Sequence, residues 1–157
     1  MADITLWGNM MKSEELLPQP FAWVTIPAGD VTLITENHWR DNYVLKGEIG
    51  TAFPVHVFQI AKYPITNAQF RLFIEAGGYK TDRWWTRDGL TERNSHGWAY
   101  PISWEDEPFS DDDKPVVGVS WYEAIAFCLW LSEITGENIT LPTEQQWQRA
   151  AQGDDMR

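Results

Sequence analysis

PVVGVSWYEAIAFCLWLSEITGENITLPTEQQWQRAAQG, residues 115–153, contains two helix starts and two helix stops. Ser120 with Glu123, and Thr143 with Gln146, each form a box. In it the hydroxyl accepts from the N3 amide and the N3 side chain returns to the cap amide. Gly136 and Gly153 stand where left-handed C-caps would end the two helices. Between Trp121 and Thr135 only Glu123, Ser132, Glu133 and Thr135 are polar. A helix apolar nearly all round is expected to be buried, so the remaining chain must cover it.

The 157 residues suffice for one domain with a sizeable core. Ten tryptophans are unusual, and buried indoles need partners for their N–H groups, which favours cores with irregular, hydrogen-bonded loops. The net charge of -11 repels phosphates and argues against nucleic-acid binding. Asp111, Asp112 and Asp113 lack the glycine and distal glutamate of a calcium loop and read as a solvated turn. The single cysteine, Cys128, sits among apolar neighbours and reads as a core filler, with no intrachain disulfide possible. There is no basic-then-apolar leader and no run of membrane-spanning length, so a cytoplasmic location is expected.

Outward from this stretch, residues 1–20 read as a weakly helical lead-in ended by prolines, ahead of a domain over 21–157. Residues 21–35 hold two β-rich runs around Pro27 to Asp30 and suggest a hairpin. Residues 36–51 read as loop or ragged edge strand. The run 53–63 reads as one strand, with His56 a surface or cross-strand residue, and Pro64 ends it. Thr66 with Gln69 forms a third capping box, opening an amphipathic helix that Gly77 and Gly78 stop. Residues 79–114 show no clear periodicity and read as an ordered loop pinned by aromatics. Trp84, Trp85, His96, Trp98 and Trp104 within it form the expected ligand-binding surface. His96 with Glu105 and Asp106 is the only acid–base set suggested there. Thr66, Ser120 and Thr143 are expected to cap helices, and Trp121 and Trp147 to anchor the C-terminal pair.

These motifs resemble those of the formylglycine-generating enzyme, or sulfatase-modifying factor, family. There a PV-x-x-VSW segment leads into an A-x-x-(Y/F)-C-x-W helix, a glycine and LPTE-x-x-W-x-x-AA-x-G. FAWVTIPAGDVTLI and VHVFQIAKYPITNAQFRLFIEAGGY resemble the family's opening hairpin and its TN-x-Q segment, so the likeness runs from about Phe21 to Gly153. The resemblance implies a C-type-lectin-like α+β fold with short strands, two to three helices and much irregular loop. It also implies three classes of relative. Some are copper-dependent oxidases that convert a sulfatase cysteine to formylglycine. Others are sulfoxide synthases of ergothioneine biosynthesis, which borrow iron ligands from a separate helical domain. The rest are non-catalytic binding proteins, including hypervariable proteins of diversity-generating retroelements.

The family's copper-binding cysteine pair and much of its calcium coordination follow a Tyr-Pro-Trp-Gly segment, and this sequence stops four residues after Gly153. One cysteine cannot supply the two thiolates of a linear Cu(I) site, and there is no histidine cluster for iron. No catalytic residue, metal ligand or cofactor is therefore assigned to these residues. The expectation is a binding or scaffold module, non-catalytic by itself and completed by further sequence or another chain. The alternative is the N-terminal part of a formylglycine-generating-type oxidoreductase whose active residues lie elsewhere. A protein partner, or the other half of the same domain, is expected. A homo-oligomer is a further expectation, and neither nucleic acid nor membrane is expected as a partner.

Overall fold

Three capping boxes start three helices where the sequence places them. The computed structural model describes residues 11–33, 39–40, 43–44 and 52–153. Expectations for 1–10, for most of 36–51 and for 154–157 fall outside the described residues. The described elements are five α-helices, six short strands and one 3-10 turn, more helices than the two or three expected. The architecture is α+β. The chain divides into two compact units, residues 1–22 with 61–141 and residues 23–60 with 142–157.

The first unit holds α1 (Ser13–Leu16), α2 (Asn67–Glu75), the 3-10 turn Asp82–Trp84, α3 (Arg87–His96) and α4 (Trp121–Thr135). At the start of α2 the Thr66 amide donates to Gln69 Oε1 at 3.0 Å, and the Gln69 amide returns to Thr66 Oγ1 at 3.4 Å. Asn67 Nδ2 donates to the carbonyls of Phe109 and Asp111 at 2.6 and 2.8 Å. The Gln69 amide group donates to the Pro18 carbonyl at 2.7 Å. The polar T-N-x-Q run is thus buried because it ties α2 to two distant loops, and each buried donor has a partner.

Helix α4 buries Glu123, Ala126, Phe127, Trp130 and Leu131, a stripe at helical spacing. Phe73 of α2 is fully buried and meets Phe70, Tyr79, Trp84, Phe127 and Trp130 at ring centroid distances of 5.4 to 6.3 Å. This aromatic cluster is the core of the unit. Gly136 ends α4 in the left-handed region, φ 68° and ψ 11°, where only its missing Cβ makes the conformation easy.

The expectation that α4 is buried all round is corrected: Trp121 is 60% exposed and Leu129 is 40% exposed. Both are apolar but lie outside the 123–127–130 stripe, and no described element covers them. The reading of 79–114 as loop is also corrected, because residues 87–96 form α3. Thr86 caps it by accepting from the Gly89 amide at 3.1 Å. Its inward face is Gly89 and Arg93 rather than an apolar stripe. A Cβ on Gly89 would stand 3.2 Å from Tyr122 Cβ, so the glycine permits α3 to approach α4 closely.

The second unit holds β1 (Trp23–Ile26), β2 (Gly29–Thr32), β3 (Trp39–Arg40), β4 (Tyr43–Val44), β5 (Ala52–Val55), β6 (Phe58–Ala61) and α5 (Glu144–Gln152). The expected hairpin over 21–35 does not form. Instead β1 pairs with β6, and β2 pairs antiparallel with β5, Gly29 opposite Val55 and Val31 opposite Phe53. The single strand expected over 53–63 is broken at His56 and Val57, both exposed.

Helix α5 packs on β2 and β5. Trp147 is 62% exposed, so its expected anchoring role is corrected. The buried side chain of α5 is Arg149. Its guanidinium donates to Pro27 and Ala28 carbonyls at 3.3 and 3.5 Å and to the Gly153 carbonyl at 2.7 Å. Gly153 has φ 61° and ψ -150°, a positive φ outside the expected left-handed helical cap.

Candidate functional site

The five residues expected to face a ligand do not share one surface. Trp84 and Trp85 are buried, each 5% exposed, and both are corrected from surface to core. Their indole N–H groups explain why. Trp84 Nε1 donates to Glu133 Oε2 at 2.9 Å and Trp85 Nε1 to the Gly78 carbonyl at 2.8 Å, which makes burial of these rings inexpensive. Trp104 is half-buried elsewhere, 6.2 Å from the Phe70 ring and under the Arg71 guanidinium at 5.2 Å.

Of the five, His96 and Trp98 remain together near solvent, with rings stacked at 5.5 Å and 21°. His96 ends α3, its Nδ1 lying 3.0 Å from Ser95 Oγ and from the Glu92 carbonyl and 3.5 Å from Glu92 Oε2. Its polar neighbours are on its own helix rather than Glu105 or Asp106, so the expected acid–base set is not assembled. Behind this pair, Trp98 meets Trp85 at 6.4 Å, and Trp85 carries the Arg93 guanidinium on its face at 5.3 Å. Arg93 Nη2 donates to Asp82 Oδ1 at 2.6 Å.

Sequence reasoning missed a buried polar group of the unit. The Tyr79 hydroxyl donates to Glu123 Oε1, while Glu123 Oε2 accepts the Ser120 amide at 2.7 Å. Burial, and after it the hydrogen bond and charge of Glu123, pushes the Tyr79 phenol far above its ordinary range. Tyr79 therefore holds its proton at any working pH and acts as a donor. The signal available in sequence is slight: Glu123 is an N3 carboxylate whose neighbours Ala126 and Phe127 put it on the inward stripe.

Helix α4 also carries Glu133, where the Arg83 hydrogen bonds at 2.8 to 3.1 Å, opposed by burial and helped by Trp84, hold the carboxyl below its usual value. Cys128 is buried, and burial pushes its thiol up to about 11. Burial thus favours the neutral thiol at neutral pH. Among the described residues no three His, Cys, Asp or Glu side chains stand close enough together to hold a metal ion. No step is therefore derived through the iron or copper that the family resemblance implies. No helix among them is long and apolar enough to cross a membrane.

The family profile described as the sulfatase-modifying factor enzyme 1-like domain matches residues 9–157. The chain belongs to this family. The hercynine oxygenase of Mycolicibacterium smegmatis is 32% identical over 149 residues, covering 83% of this chain and 31% of that protein. The hercynine oxygenase of Mycobacterium tuberculosis is 34% identical over 119 residues, covering 64% of this chain and 26% of that protein. The formylglycine-generating enzyme of Streptomyces coelicolor is 26% identical over 163 residues, covering 83% of this chain and 46% of that protein. The chain thus spans about a third or less of the hercynine oxygenases it matches.

In the described residues the three capping boxes and the T-N-x-Q clamp fix the starts of α2, α4 and α5.

Proposed function

We propose that this chain contributes a sulfatase-modifying-factor-type domain to an oxidoreductase of the hercynine-oxygenase kind, with the oxidising groups carried on other sequence. The observation that supports this most is the grading of likeness. Identity is 32 to 35% with three hercynine oxygenases and 24 to 26% with formylglycine-generating enzymes. The non-catalytic module expected from sequence gains less from these likenesses, because relatives at 32 to 35% identity are named as oxygenases.

In this reading the described residues supply rigidity. The Phe73 cluster, the Tyr79–Glu123–Ser120 group and the Arg149 clasp fix loop positions, and a reacting centre on adjoining polypeptide would gain from such fixed supports. The exposed apolar side chains of α4, Trp121 and Leu129, fit coverage by further polypeptide of the same domain.

The test uses the complete encoded protein. It is incubated with hercynine, iron(II), a thiol donor and heavy-isotope dioxygen, and products are read by mass spectrometry. Hercynine consumption with isotope incorporation supports the reading. Saturable hercynine binding without turnover would favour the binding module, and neither binding nor turnover would overturn the oxidoreductase assignment.

A further inference from the structure

Between α3 and α4 the backbone is pinned to the rest of its unit while apolar side chains point into water. Residues 101–109 form successive turns. The Trp104 amide donates to the Pro101 carbonyl at 3.0 Å, that of Asp106 to Ser103 at 3.3 Å and that of Phe109 to Asp106 at 2.8 Å. Each turn brings its first and fourth residues within about 7 Å, so the run is compact. The Ile102 amide donates to the Gly118 carbonyl at 3.3 Å, and a Cβ on Gly118 would stand 2.8 Å from the Ser103 nitrogen. At the start of α2 the amides of Asn67 and Ala68 donate to the Lys114 and Asp112 carbonyls at 2.9 and 3.0 Å, beside the Asn67 side-chain bonds to Phe109 and Asp111. Arg71 lies over the Trp104 ring at 5.2 Å and pairs with Asp112, which brings residue 112 alongside residue 104.

On this fixed frame Ile102 is 87% exposed, and Tyr100 and Phe109 are exposed as well. A backbone tied at so many carbonyls and amides cannot turn these side chains inward. Single exposed apolar residues are ordinary, whereas a group of them on one surface segment marks contact with another molecule.

The charge around them narrows what that molecule is. Residues 100–114 carry six carboxylates and one lysine, all exposed. Of the six carboxylates, only that of Asp112 has a side-chain partner among the described residues. This charge repels nucleic acid and anionic lipid surfaces. A bare metal ion needs converging ligands, which no three His, Cys, Asp or Glu groups supply among the described residues, and it would leave the apolar side chains in water. A polypeptide segment that interleaves lysine or arginine with apolar residues complements both features.

We propose that residues 100–113 are a docking surface for a basic segment of a partner protein, one in which apolar residues alternate with lysine or arginine. The partner's apolar side chains cover Ile102, Tyr100 and Phe109, and its cations pair with the unpaired carboxylates. Because the backbone is already fixed, docking orders little of this chain, which favours affinity. The surface does not depend on the oxidoreductase reading.

Fluorescence anisotropy tests this, with a short labelled peptide that alternates lysine and leucine titrated with the full chain. Saturable binding is expected, weaker for peptides in which either the lysines or the leucines are replaced by serine. Ile102→Ser combined with Phe109→Ser should weaken binding about tenfold or more. Asp106→Asn, Glu107→Gln and Asp113→Asn together should weaken it about tenfold more than Glu75→Gln, Asp88→Asn and Glu144→Gln, which change the net charge equally. All the replaced side chains are exposed and make no hydrogen bond among the described residues, so melting temperatures should hold. Absence of saturable binding, equal weakening by the two charge-matched triples, or indifference to the Ile102 and Phe109 changes would overturn the proposal.

Discussion

Trp121 and Trp130 lie nine residues apart on α4, on opposite sides of the helix, and their truncation should separate core from surface within one element. Trp130 is 2% exposed, with ring centroids 5.8 Å from Phe73 and 5.4 Å from Phe127. A buried tryptophan removes about 200 Å² from water, worth roughly 5 kcal/mol at about 25 cal/mol per Å². The Trp130 indole N–H has no hydrogen-bond partner among the described residues, so truncation also relieves a polar group whose burial costs about 1–3 kcal/mol. A cavity term acts the other way, and Trp130→Ala should lose roughly 3–5 kcal/mol. Trp121, 60% exposed, has less than half of its surface to lose, and alanine is a better helix former. Trp121→Ala should cost no more than about 1 kcal/mol. Chemical unfolding followed by far-ultraviolet circular dichroism measures both, with an expected gap of at least about 2 kcal/mol. Equal losses would refute the reasoning, because they would show that α4 buries its Trp121 face in solution.

Three further perturbations probe other parts of the fold. A Cβ on Gly78 would fall 2.4 Å from Phe73 Cε2, in a ring cluster with no room to yield, so Gly78→Ala should cost about 1–3 kcal/mol or more in thermal melts. At Glu137, burial raises the carboxyl pKa but is outweighed by the Ser13 bonds, Lys12 and Thr135, and the net value lies below the ordinary 4.5. The stability this contributes is complete above pH 4.5 and lost as pH falls through the lower folded value. The difference in melting temperature between the unmutated chain and Glu137→Gln should therefore shrink below that pH, and a difference that grows on acidification would contradict it. Cys128, with its thiol raised to about 11 and buried, should resist alkylation at pH 7 until denaturant is added. Rapid native labelling, read by mass, would count against its placement.

Features that depend on neighbours three or four residues apart can be read from the chain itself. Ser120 with Glu123, Thr143 with Gln146 and Thr66 with Gln69 close their boxes within one turn, and Gly136 takes its left-handed cap from local backbone sterics. The family likeness was legible for the same reason, since it rests on these motifs and their order. Helix α3 was not legible, because its inward face is Gly89 and Arg93, and a close approach with a buried guanidinium paired to the exposed Asp82 leaves no apolar period to read.

Strand partners, core membership and the candidate site depend on contacts between residues far apart in the chain. β1 has β2 adjacent in sequence, but hydrogen bonds at a distance pair it with β6. Trp84, Trp85, Trp121 and Trp147 are the same residue type, and nothing in their local sequence says that two find acceptors in Glu133 and Gly78 while the others stay in water. A tryptophan is buried when a distant chain segment accepts its N–H and closes over its ring, and that is a property of contacts between residues far apart in the chain. The same applies to Ser13 and Glu137, separated by 124 residues, whose meeting no periodicity announces.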